Sequence, residues 1–226
     1  MPQVKKYKAE VISIINPVDN IYTVEFKSHS GQFKFLPGQF LHLALDEYDP
    51  SQGWPESRCF SIQSSPGNEL LKFTFAVKGS FTKRIVNELR IGKILNIKLP
   101  YGELFQQEHS KDKVVFIAGG TGVTPYLSML TNSNFISYTK PILYLGLREK
   151  RFNVYESELD LAQKINSSLK IFIKYDGILD IESIFKENGI SSTYFISGPP
   201  EMISIFKEKL LIAGVSINNI KVDEWE

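Results

Sequence analysis

Residues 113–130 read KVVFIAGGTGVTPYLSML. The apolar run Val114 to Ala118 has the length and composition of a strand buried on both faces. Gly119 to Gly122 makes a tight turn, and Pro125 then opens TPYLSML, whose apolar residues fall at helical spacing. Strand, turn and helix in that order are one unit of an α/β domain. The unit recurs three times downstream. PILYLG (141–146) precedes VYESELDLAQKI (154–165), LKIFIKY (169–175) precedes IESIFKENG (181–189), and TYFIS (193–197) precedes PEMISIFKEKLLIAG (200–214). Such alternation predicts a parallel sheet with right-handed crossovers.

Working towards the N-terminus, the pattern changes. Residues up to about 100 read as short strands, with candidates at 8–15, 21–26, 39–45, 58–63, 70–77 and 94–99. Turn dipeptides punctuate them at Asn16-Pro17, Ser30-Gly31, Pro37-Gly38, Pro66-Gly67 and Tyr101-Gly102. This spacing predicts an antiparallel barrel, interrupted by one helix over 82–89 that follows Gly79. The chain is therefore expected to hold two domains, an antiparallel β-barrel over 1–105 and a parallel-sheet α/β domain over 106–226, hinged in the polar loop 102–112.

The whole-chain composition narrows the chemistry. The 226 residues are 42% hydrophobic and 23% charged, with a net charge of +1, which is ordinary for a globular protein and gives no electrostatic case for nucleic acid or a membrane surface. The longest apolar runs are far too short to span a bilayer. The N-terminus MPQVKKYKAE has charge without an apolar core, so no secretory leader is read there and a cytoplasmic location is expected. The single cysteine, Cys59, excludes an internal disulfide and a cluster held by four thiolates of this chain. His29, His42 and His109 have no metal-ligand spacing.

Four further runs carry chemistry. Arg58-Cys59-Phe60-Ser61 sets a cation, an aromatic face and a hydroxyl close together in a strand. Lys78-Gly79-Ser80-Phe81-Thr82 leads into a helix, whose N-terminus presents N–H groups to an anion. In the opening stretch, Gly120 and Gly122 bring bare backbone towards a phosphate beside Thr121, Thr124 and Pro125. Ser197-Gly198-Pro199-Pro200-Glu201-Met202 sits at the end of the fourth α/β strand. Behind the second lie Arg148, Lys150 and Arg151 with Glu149 among them.

Taken in order, these runs resemble the ferredoxin–NADP reductase superfamily over nearly the whole length. The resemblance implies that the barrel binds flavin, FAD rather than FMN, and that the α/β domain binds NADPH or NADH as substrate. Arg58-Cys59-Phe60-Ser61 is similar to the family's Arg-x-Tyr-Ser motif. Arg58 is then expected on the flavin phosphates, Phe60 on the ring face without the usual phenol, and Ser61 at N5 as a catalytic group. The 78–82 run is similar to the second flavin-phosphate motif, and Gly119 to Pro125 matches the pyridine-nucleotide turn. Ser197 replaces a cysteine beside the nicotinamide and is expected to be catalytic, with Gly198, Pro199 and Met202 binding the nucleotide. Arg148 and Arg151 are expected near a ribose 2′-phosphate, favouring NADPH. Trp225 is expected to shield the flavin's other face, with Glu224 as a candidate proton relay. The activity implied is an NAD(P)H-dependent flavoprotein reductase that hands electrons to a separate acceptor, such as a ferredoxin, a flavodoxin or an oxygenase component. Two alternatives stand beside it: a reductase of free flavin, and a non-catalytic electron-transfer or regulatory subunit of the same fold.

Overall fold

The computed structural model describes residues 2–176 and 178–223. The chain forms two compact units, Met1–Glu103 and Leu104–Glu226.

In the first unit six strands, β1 (Lys5–Val18), β2 (Ile21–Ser28), β3 (Phe40–Ala44), β4 (Ser57–Ser61), β5 (Leu70–Ala76) and β6 (Ile94–Tyr101), form one sheet in the order β4-β3-β6-β1-β2-β5. Every pairing is antiparallel. The sheet curls around a single apolar core to which all six strands contribute, with Val11, Phe26, Leu41, Leu43, Phe60, Phe73 and Ile97 among its members. The edge strands close the barrel where β4 ends: Gln63 and Ser64 donate their backbone N–H groups to Lys72 O, at 2.8 and 3.4 Å. Helix α1 (Ser80–Glu88) caps the core with Phe81 and Ile85. Its first turn begins two residues ahead of the expected 82. Thr82 does not start the helix; its Oγ1 accepts the N–H groups of Lys78 and Gly79, at 2.9 and 3.1 Å, and so secures the chain that enters it.

The second unit holds five parallel strands, β7 (Val114–Gly119), β8 (Ile142–Leu147), β9 (Lys170–Tyr175), β10 (Thr193–Ser197) and β11 (Ile220–Val222), in the order β11-β10-β7-β8-β9. Helices α2 (Thr124–Leu130) and α3 (Glu156–Ile165) cover one face through Tyr126, Leu127, Leu159 and Ala162. Helices α4 (Ile181–Asn188) and α5 (Pro200–Ile212) cover the other through Ile184, Ile203, Phe206 and Leu210. Leu104 and Phe105 begin this unit, not the barrel. Both are buried in its first core, with the Phe105 ring 5.0 Å from Phe195. The fifth strand, β11, was not expected from the sequence. No described helix is long and apolar enough to cross a membrane.

From β7 the chain builds outward through β8 to β9, then returns to lay β10 and β11 on the opposite side. The order in which strands are added therefore reverses between β7 and β10. In open α/β sheets the carboxyl ends of the strands flanking such a reversal form a crevice in which ligands bind.

Candidate functional site

The two glycine turns of the second unit lie at that reversal. Gly119 ends β7 and Ser197 ends β10, and Ala118 pairs with Ser197 in the ladder. A Cβ added to Gly122 would stand 2.6 Å from the N and Cα of Gly198 and from the O of Ser197. One added to Gly198, at φ +150°, would meet Gly119 N at 3.0 Å. The turns are thus in backbone contact, and any side chain there would force them apart. Gly120, at φ +56°, faces open space. This is a cradle of bare backbone that suits a pyrophosphate.

The expected residues divide by burial. Gly119, Gly120, Thr121 and Gly122 are partly exposed, but Thr124 and Pro125 are buried. Thr124 Oγ1 donates to Thr121 O at 2.9 Å. Both were expected to bind the cofactor; their side chains are buried where the 3-10 turn over Gly120–Val123 leads into α2. Pro199 and Met202 also face the partner turn: a Cβ on Gly119 would meet Pro199 Cδ at 2.9 Å and Met202 Sδ at 3.0 Å.

Ser197 was expected as a catalytic group. It is 2% exposed, and its Oγ donates to Asp223 Oδ2 at 3.1 Å. Its hydroxyl is committed to a buried carboxylate. The sequence had nominated Glu224 as the acid; Glu224 and Trp225 lie outside the described residues. Asp223 is brought there by the parallel pairing of β11 with β10, and its own N–H donates to Ile196 O at 3.0 Å. A groove of about 700 Å³ opens beside Gly198 and Asp223 and runs along α5 past Ile203, Lys207 and Leu211.

Past β8, Arg148 and Arg151 converge on Phe152, their guanidinium carbons 5.9 and 5.1 Å from its ring centre. Arg151 also pairs with Glu149 at 2.9 Å. The half-buried Phe152 was missed from sequence. It offers a flat apolar face between two cations.

In the first unit, the register of β4 on β3 decides which way the Arg58–Ser61 run faces. Leu41 pairs with Phe60 and Leu43 with Arg58, so Arg58 and Phe60 share the inner face. Phe60 is only 9% exposed and packs on Phe73 and Phe75, with ring centres 4.9 and 5.8 Å away. Phe60 was expected on the flavin's ring face; its ring packs within the barrel core. Arg58 is exposed at the open end, its guanidinium carbon 5.3 Å from the Phe81 ring centre. Phe81 lies in the first turn of α1, where the N–H groups of Ser80, Phe81 and Thr82 have no acceptor within the helix. Two motifs twenty residues apart in sequence therefore meet, joining a guanidinium to a helix N-terminus in one anion-binding corner. Lys78 and Ser80 are exposed beside it.

Arg84, also missed, flanks the same corner. It bridges to Asp46 at 2.7 Å and Glu88 at 2.8 Å, and these hydrogen bonds hold its proton even more firmly than usual. Ser61 lies on the opposite face of β4 and its hydroxyl has no hydrogen bond among the described residues. Cys59 is on that face too, 3.5 Å from His42 Nε2, and burial pushes its thiol pKa up. It is no thiolate nucleophile. No group of three or more metal-ligating side chains occurs among the described residues.

Comparison with known proteins agrees with this architecture. Residues 116–208 match the model of the oxidoreductase NAD-binding domain. The chain is 24% identical over 206 residues to the flavohemoprotein of Rhizobium meliloti (strain 1021), a match that covers 80% of this chain and 50% of that protein. It is 31% identical over 157 residues to the glycine betaine monooxygenase reductase subunit of Pseudomonas aeruginosa, covering 65% of this chain and 40% of the relative. The chain thus spans about half or less of the length of these curated relatives. Among solved structures, a ferredoxin NADP+ reductase from Neisseria gonorrhoeae with bound FAD and NADP superposes with a TM-score of 0.78 at 16% identity, covering 99% of both chains. Residues 116–208 thus match an oxidoreductase NAD-binding domain, the chain is similar in sequence to flavohemoprotein and monooxygenase reductase subunits, and its barrel and doubly wound sheet share the two-domain fold of the ferredoxin NADP+ reductase.

Proposed function

We propose that this chain is an NAD(P)H-dependent flavin oxidoreductase, with a nicotinamide nucleotide bound in the second unit and FAD in the first. The observation that carries this reading is the backbone contact between the Gly119–Gly122 and Ser197–Gly198 turns at the reversal of the parallel sheet. The flavin, when bound, supplies the chemistry, since its N5 accepts a hydride from nicotinamide C4. The chain's own residues bind and orient. Arg58, Arg84 and the first-turn N–H groups of α1 take the flavin phosphates, and the Ser61 hydroxyl donates to N5. The glycine turns let the pyrophosphate approach, and Asp223, fixed by Ser197, marks the nicotinamide end of the crevice. Arg148, Phe152 and Arg151 take the adenosine end, with the two cations favouring a 2′-phosphate. No protein nucleophile is required, because the contribution of the site is proximity and orientation.

The relatives named as monooxygenase reductase subunits support a separate redox protein or oxygenase component as electron acceptor. A cytoplasmic location fits this role. A second reading, in which flavin is a passing substrate, is favoured by the Glu56 carboxylate that already occupies Arg58 at 2.8 Å.

The test of the flavin site is Arg58→Ala. One charge-assisted phosphate contact is worth about 1.5–3 kcal/mol, so FAD affinity should fall by about ten- to hundredfold while the fold persists. Unchanged FAD affinity in a folded variant would remove Arg58 from the site.

A further inference from the structure

We infer that Glu56 is a built-in competitor for the flavin phosphate, set to make flavin exchangeable. This rests on the flavin reading above. Glu56 Oε1 accepts from Arg58 Nη2 at 2.8 Å, and Glu56 Oε2 lies 3.9 Å from Arg84 Nη1. One carboxylate thus stands between two guanidiniums and takes Arg58 Nη2, a charged donor that a phosphate oxygen also uses. Arg58 is otherwise already placed: its Nη1 donates to Ser57 O at 2.8 Å, and its guanidinium lies over Phe81. Arg84 stays in place through Asp46 and Glu88 whether or not Glu56 is there. What an arriving phosphate must displace from Arg58 is therefore the Glu56 carboxylate.

The charge count points the same way. Arg58, Arg84 and Lys93 face Glu56, Asp46 and Glu88 in one chain of ion pairs, three cations against three carboxylates. These six paired charges cancel. Without Glu56 they keep one positive charge in excess. Glu56 sits two residues ahead of Arg58 at the entry to β4, so it swings aside without moving the strand.

Glu56 and Arg58 are each about half exposed, and pairs of this kind are weak. Their competition should therefore tune affinity and not abolish binding. The experiment uses the full chain freed of flavin, titrated with FAD, FMN and riboflavin and followed by flavin fluorescence. Glu56→Gln should bind FAD and FMN about three- to fivefold more tightly than the wild type. The gain should shrink at high salt, because the corner is open to solvent. Riboflavin, which has no phosphate, should bind both proteins alike. Equal or weaker FAD binding by the variant, or a matching gain for riboflavin, would overturn the competitor role alone. Failure of both proteins to bind any flavin would overturn the flavin reading and this inference with it.

Discussion

A single methyl group at Gly122 should uncouple the two glycine turns of the second unit. The Cβ of Gly122→Ala would lie 2.6 Å from Gly198 N, Gly198 Cα and Ser197 O, all of them backbone atoms that cannot rotate away. Ordinary contact begins at 3.4 Å, so the turns must part by about 0.8 Å, the difference of the two distances. Overpacking of this kind costs about 1–3 kcal/mol. Displacement on the order of 1 Å at a site that works by orientation costs about a hundredfold in rate. We therefore expect a lower melting temperature for the second unit and a tenfold to hundredfold lower kcat/KM for NAD(P)H, roughly as that displacement dictates. The flavin spectrum should be unaffected. Gly120→Ala is the comparison. Its Cβ meets no atom within 4 Å, and its penalty is that of φ +56° alone, about 1–2 kcal/mol. Differential scanning calorimetry without ligand, with ferricyanide as acceptor for steady-state rates, reads both effects. A Gly122→Ala protein that melts with the wild type and keeps its KM would refute the backbone contact on which the nucleotide site is built.

Three further outcomes follow from the geometry. Ser61→Ala should keep its flavin yet slow flavin reduction in stopped flow by about tenfold, the scale of one lost hydrogen bond; equal rates would exclude the hydroxyl from the reaction. The wild type should prefer NADPH to NADH in kcat/KM, and replacing Arg148 and Arg151 with Ala should erase that margin by weakening NADPH; a wild-type preference for NADH would leave the Arg–Phe–Arg cluster without a 2′-phosphate role. Stability should fall with acidification below about pH 6.5. Burial holds His42 and His109 below the ordinary 6.5, helped by Lys98 for the first and by Lys221 and Lys111 for the second. The unfolded chain then binds protons that the folded chain refuses, so the stability present above 6.5 is lost as pH falls through the folded values. A His42→Gln, His109→Gln protein should show a shallower fall in melting temperature between pH 7 and 5. An identical fall would assign the effect to other groups.

The strands and helices were legible in the sequence because their apolar spacing is imposed by the core. The five-residue run at Val114 reads as a buried strand wherever it lies, and it is one. The site was legible only in part, because motifs name residues without giving their faces. Phe60 belongs to a recognisable run, but whether its ring meets a ligand or the core depends on the pairing with Leu41, which no local pattern states. Asp223 follows a three-residue strand too short to carry a period, and its meeting with Ser197 is made by the sheet. Arg84 reads as a helix-surface charge until Asp46, thirty-eight positions away, is seen to hold it. Thr124 and Pro125 sit in the motif, yet no local pattern shows that their side chains are buried.

The most direct test of the central claim is a single turnover without oxygen. Protein loaded with FAD is mixed with NADPH or NADH in a stopped-flow spectrometer, each nucleotide also supplied with deuterium at the transferable C4 position. The visible flavin band should bleach and deuterium should slow the bleaching, since in the proposed reaction a hydride passes from C4 to the flavin. A flavin band that stays oxidised with both nucleotides would contradict it.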